Sequence, residues 1–237
     1  MMYFDQSDYE VRFEWGLQGI QTLAPICDVV VIVDVLSFTS CVDIVVGNGG
    51  TIFPYRGKLE GVAAFAGTVD ALFATHRAQT GAYSLSPSSL IRAPAGTRLV
   101  LPSPNGSTLS LSTADTPTLA GCLRNAQAVA AKANELGKRI GVIAAGERWP
   151  DKTLRPSLED LLGAGAIITH LHGRRSPEAE MAAVGFAHTQ SALLPTLLRC
   201  GSGKELVGRG FEADVHLAAQ LNVSRAAPVL IDGAYVG

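Results

Sequence analysis

Asp28-Val-Val-Val-Ile-Val-Asp34-Val-Leu-Ser37-Phe-Thr39-Ser40 is a run of β-branched residues that delivers a carboxylate and then three hydroxyls. Branched side chains stiffen the backbone and favour strand. A run that is apolar on both faces suits the centre of a parallel sheet. Asp34 stands out within it, because a carboxylate is almost never buried without a partner. It belongs either at the strand's open carboxyl end or beside a cation, and both placements mark a site.

Outward from this strand, Phe38, Cys41, Val42 and Val45 have helical spacing, and Gly47-Asn48-Gly49-Gly50 ends that helix. Upstream, Val11, Phe13 and Trp15 alternate with charged residues, which predicts a half-exposed strand, antiparallel or at an edge. Downstream, strands are expected at 51–54, 98–101, 118–122, 139–145 and 228–231. Helices are expected at 58–77, 125–136, 157–172, 176–200, 203–207 and 212–221, with a further one opening near Asn105. Residues 79–97 show neither period and read as a long loop. Strands alternating with helices over 237 residues imply one α/β domain spanning 1–237, with a largely parallel or mixed sheet covered on both faces.

Composition narrows the partners. A net charge of -2 without blocks of like charge gives no footprint for nucleic acid or anionic lipid, so a small molecule is expected. Only 17% of residues are charged, which leaves neutral surface suited to a homodimer interface. No signal pattern and no stretch approaching the roughly 18 apolar residues of a membrane span is present, which leads us to expect a cytoplasmic protein. Cys27, Cys41, Cys122 and Cys200 lack metal or disulfide spacing and read as reduced core residues. The five histidines form no ligand motif.

In open α/β sheets ligands collect outside the carboxyl ends of strands. Four such ends carry polar clusters: Asp34 with Ser37, Thr39 and Ser40; Asn105-Gly106-Ser107; Arg124-Asn125; and Glu147-Arg148, with Glu159-Asp160 beyond. Carboxylates Asp34, Glu147, Glu159 and Asp160 are candidate ligands for Mg²⁺, a hard cation that also keeps sites for substrate phosphate, and candidate general acids or bases. Ser37, Thr39, Ser40, Asn105, Gly106, Ser107, Asn125 and Arg148 are candidate phosphate holders. Bland readings stand beside these. Asn105-Gly106 also fits a plain turn, Asp160 the capping partner of Ser157, Glu159 a dipole complement, and Glu147-Arg148 a surface ion pair. Walker, dinucleotide and nucleophile-elbow glycine motifs are absent, and Leu36 occupies the place of a second aspartate that an aspartyl-phosphate enzyme would need.

The set Val33-Asp34-Val35-Leu36 with Thr39, Gly47 to Gly50, Ser103-Pro-Asn105-Gly106-Ser107, Asn125, Ala144 to Arg148, Ser157 to Gly165, Gly210 to Val215 and the 222–230 tail resembles the 2-phosphosulfolactate phosphatases. That resemblance implies a three-layer α/β/α fold, a dimer and Mg²⁺-dependent conversion of 2-phosphosulfolactate to 3-sulfolactate plus phosphate on a route to coenzyme M. The chain departs from the family at Ser37, where an arginine is usual, and at 74–77 and 85–87, where a Gly-Glu-Arg loop and Gly-Asn-Ser-Pro are usual. These departures motivate an alternative: a non-catalytic paralogue binding an anionic metabolite.

Overall fold

The computed structural model describes residues 3–77 and 82–237. Eleven strands appear among them: β1 (Val11–Trp15), β2 (Val29–Val33), β3 (Thr51–Tyr55), β4 (Leu72–Phe73), β5 (Arg98–Pro102), β6 (Thr118–Gly121), β7 (Ile140–Ala144), β8 (Glu147–Arg148), β9 (Leu154–Arg155), β10 (Val229–Ile231) and β11 (Ala234–Val236). The α-helices are α1 (Gly16–Leu23), α2 (Phe38–Gly47), α3 (Val62–Thr68), α4 (Pro87–Leu90), α5 (Gly106–Ser110), α6 (Ala126–Leu136), α7 (Leu158–Ile168), α8 (Pro177–Thr189), α9 (Leu193–Arg199), α10 (Gly201–Gly208) and α11 (Glu212–Ala218).

Nine strands form one mixed sheet in the order β1-β7-β2-β6-β10-β11-β3-β5-β4. β1, β7, β2 and β6 run parallel, as do β3, β5 and β4. Between the two blocks lies the antiparallel hairpin β10-β11, joined to β6 through Val229 and Leu119 and to β3 through Tyr235 and Ile52. Three successive antiparallel pairings set the blocks in opposite senses. Twist of about 20–25° per neighbour adds up to roughly 100–125° over the five steps from β2 to β5. That swings the carboxyl end of β5 round toward the carboxyl end of β2.

Alternation along each strand builds the three layers. Val29, Val31 and Val33 pack with α6, α7 and α8, whereas Val30 and Ile32 pack with Ile20 and Leu23 of α1 and Leu109 of α5. In the second block Ile52 and Leu99 meet α2, and Phe53 and Val100 meet Val62 and Ala66 of α3. All five β2 residues are buried, as a central strand requires.

Several elements differ from expectation for identifiable reasons. β1 is an edge strand but parallel to β7, and Arg12 is buried because its guanidinium donates to the carbonyls of Tyr9, Ile26 and Ser7. The helix expected over 58–77 stops at Thr68. Asp70 takes a positive φ just beyond it, and Leu72-Phe73 pair with β5 instead. Within the expected 79–97 loop, residues 79–81 lie outside the described residues, and 87–90 form α4. One long helix over 176–200 is divided by a 3₁₀ turn at Gln190–Ala192, while Ser176 caps its start by accepting from the Ala179 N–H. Strand β11 follows a turn at Asp232-Gly233, both with positive φ, the dipeptide form typical of a two-residue hairpin. The four cysteines are free and buried. Among the described residues no helix is long and apolar enough to cross a membrane.

Candidate active site

Asp34 is the first residue beyond β2, and hydroxyls on the opening turn of α2 shape the chain around it. Thr39 Oγ1 accepts from the Asp34 N–H at 3.0 Å and donates to the Asp34 carbonyl at 2.8 Å, while Ser40 Oγ donates to the Val35 carbonyl. The carboxylate then accepts the Phe38 N–H at 3.2 Å and, across the sheet, the Gly106 N–H at 2.9 Å. Glycine is required at 106, since a Cβ there would overlap the Phe38 ring. Asp34 is only 7% exposed. Burial raises its pKa to about 6, with the Glu159 charge adding to the rise and the two N–H bonds and Arg77 opposing it.

Glu147 opens β8 after β7 and reaches the same place, where it accepts from Asn105 Nδ2 at 3.1 Å. Burial, then the charges of Asp34 and Glu159, push its pKa to about 7, against Arg155 and the Asn105 bond. Three carboxylates from β2, β7 and α7 therefore share one field. Glu159 is buried and accepts the Cys200 thiol at 3.3 Å. Asp160 is buried as well. Its oxygens accept the Val35 N–H, the Gly146 N–H and Ser157 Oγ, each at 2.8 Å, and burial with the Glu159 and Asp34 charges holds its pKa well above the ordinary range.

Asp34 and Glu147, but neither Glu159 nor Asp160, line a cleft of about 680 Å³. Asp34 and Glu147 supply its acid side and Arg56, Arg77 and Arg209 its basic side, with Glu205 also in the lining and paired to Arg209 at 3.0 Å. Arg77 Nη2 donates to Ser37 Oγ at 2.8 Å and Nε to the Leu85 carbonyl at 2.6 Å, and the guanidinium lies 5.4 Å from the Phe211 ring centroid, with Asp214 4.0 Å away. A cation thus stands beside Ser37, delivered from the loop after β4.

The candidate residues divide cleanly by position. Asp34, Ser37, Asn105 and Glu147 line the cleft, and Gly106 touches it through Asp34. Thr39, Ser40, Ser107 and Asn125 do not line it. Ser107 Oγ is spent on the Leu101 carbonyl, and Asn125 closes the β6–α6 turn on Cys122 and Ala120. Arg148 is exposed on the β8-β9 hairpin and donates to the Lys152 carbonyl. The basic residue acting on Glu147 is Arg155 instead. Ser157 does not close the expected capping box, since its hydroxyl donates to the Asp160 carboxylate rather than accepting a main-chain N–H. His76 and Arg77, in the loop after the two-residue β4, and Arg209, at the end of α10, carry no motif, and only the fold brings them to the cleft.

Among the described residues no group of three or more His, Cys, Asp or Glu side chains forms a ready-made metal cage. Two carboxylates facing one cleft nonetheless fit Mg²⁺, which is usually held through one or two of them and completed by water and substrate oxygens.

A family model for 2-phosphosulpholactate phosphatase matches residues 19–233. The 2-phosphosulfolactate phosphatase of Methanothermobacter thermautotrophicus is 35% identical over 138 residues. That stretch covers 58% of this chain and 58% of the archaeal protein. With the family model matching most of the chain, the protein belongs to the 2-phosphosulfolactate phosphatase family.

Proposed function

We propose that the protein is a Mg²⁺-dependent phosphatase that hydrolyses a small phosphorylated acid of the 2-phosphosulfolactate type. The observation that carries this reading is the pairing of Asp34 and Glu147 with Arg77 across one cleft. Asp34 and Glu147 would hold the ion, with Glu159 behind them. When bound, Mg²⁺ supplies charge neutralisation at the phosphoryl oxygens.

The chain's own groups supply the rest. Arg77, fixed by Leu85 and Ser37, offers a planar fork to an anionic group of the substrate. Glu147, pushed to about 7 by burial in the metal-free protein, would be held as the carboxylate by the ion and would position the water beside it. Asn105 orients it. Arg77 stands beside Ser37 and supplies a cation close to the place where the family's usual arginine is missing. A homodimer in the cytoplasm belongs to the same reading, supported by the low charge content.

The test is phosphate release from 2-phosphosulfolactate and a panel of phosphorylated hydroxy acids, with Mg²⁺ or with EDTA. Turnover that EDTA and Asp34→Asn each abolish is expected. Turnover indifferent to both, or binding without turnover across the panel, refutes the reading.

A further inference from the structure

Asp160 is the best-satisfied carboxylate in the neighbourhood, yet it does not line the cleft. A carboxylate offers about four acceptor sites, and three here are taken. Two of its donors are main-chain groups flanking the cleft acids. Val35 follows Asp34, and Gly146 precedes Glu147. Neither residue belongs to a strand, because β2 ends at Val33 and β7 at Ala144. One ladder-like bond, Ala145 N–H to the Val33 carbonyl at 2.8 Å, continues the pairing past the strands. Beyond it, the main chains carrying the acids are joined through Asp160, while the neighbouring residues Asn105 and Gly106 join the two carboxylates, Asn105 donating to Glu147 and Gly106 to Asp34. Gly146 has φ +66°, a conformation that turns its N–H inward and that a side chain would resist.

We infer that Asp160 is a positioning residue, a tether from α7 that sets the spacing of Asp34 and Glu147 by holding the main chain next to each. Ser157 contributes the third donor and fixes the carboxylate's rotation. The adjacent acids of α7 thus divide the labour: Glu159 faces the cleft acids' field, and Asp160 braces their loops. The catalytic half of this inference rests on the phosphatase reading, whereas the tether itself does not.

Amide hydrogen exchange on the wild-type protein, Asp160→Asn and Ser157→Ala separates the two. In the wild type, Val35 and Gly146 should be protected like strand amides although they lie outside strands. If either exchanges like a solvated loop amide, the tether is refuted without any variant. In Asp160→Asn the amide oxygen can face only one of the two N–H groups, and the NH₂ group opposes the other. Exchange at one of Val35 and Gly146 should therefore quicken by about tenfold or more, with the other nearly unchanged. Ser157→Ala should leave both amides protected. Where turnover is measurable, Asp160→Asn should lower kcat by about 10- to 100-fold at unchanged KM, because small misplacement of reacting groups costs that much. General loosening of all sheet amides together, or a shift in the Mg²⁺ midpoint with Val35 and Gly146 both still protected, would overturn the proposal. Wild-type protein with both amides protected but no turnover would count against the phosphatase and leave the tether standing.

Discussion

Glu147→Gln should make the metal-free protein more stable at alkaline pH while abolishing its chemistry. Glu147 has a folded-state pKa of about 7, raised from 4.5. Below pH 4.5 folded and unfolded chains are both protonated and the residue has no effect. Between 4.5 and 7 the unfolded chain releases a proton that the folded one keeps, so stability falls as pH rises through this window and levels off above it. A rise of about 2.5 units at 1.36 kcal/mol each corresponds to roughly 3 kcal/mol. Glutamine is neutral and still accepts the Asn105 bond at its carbonyl oxygen, losing about 1 kcal/mol of charge-assisted strength. The net gain is roughly 2 kcal/mol at pH 8.5, or about 4–8 °C in Tm for a chain of this size. Calorimetric melting of both proteins in EDTA at pH 4 and pH 8.5 tests it. Equal Tm values at pH 8.5, or the same offset at both pH values, would refute the assignment of Glu147 to a buried, mutually repelling acid cluster. The trade of stability against activity is what a functional acid held out of water produces.

Gly106→Ala should lower stability by about 1–3 kcal/mol through overlap with the Phe38 ring and also displace the N–H from Asp34, so the surviving folded fraction should lose activity, read by melting and phosphate release together. Arg77→Ala should raise KM at least tenfold with a smaller change in kcat, and Arg77→Lys should recover only part of it because a point charge cannot reproduce the fork. Arg124→Met should cost about 3–5 kcal/mol in chemical denaturation by stranding Asp43 in the interior, since Arg124 Nε and Asp43 Oδ2 pair at 2.8 Å with the carboxylate fully buried. That variant should keep wild-type KM, because neither residue lines the cleft.

Residues 28–40 carried the central strand and its acid because local rules suffice there: five buried β-branched residues can only be an inner strand. The Glu147 end was legible for the same reason, following the apolar 140–145 run. Two kinds of information were not local. The meeting of Asp34 with Gly106 depends on a hairpin that reverses one half of the sheet, and β11 itself is signalled only by Asp232-Gly233 between two three-residue apolar runs. The inward turn of Thr39, Ser40 and Ser107 was hidden because a hydroxyl at a helix start serves the main chain as readily as a phosphate. Arg77 was missed as the cation beside Ser37, since nothing in a loop's sequence tells which distant side chain it will reach.

The seam between the halves has a kinetic consequence. Val229 pairs with Leu119, 110 residues earlier, and Tyr235 with Ile52, 183 residues earlier. Contacts of such span are slow to form, whereas Thr51 of β3 pairs with Arg98 of β5 only 47 residues on, so the β3-β5-β4 block should collapse on its own helices before the hairpin arrives. Until then β6 and β3 are open edges, the kind of surface on which a second chain can add its own strand. Refolding yield should therefore fall with protein concentration, as unclosed halves of different molecules compete with the hairpin for the same two edges.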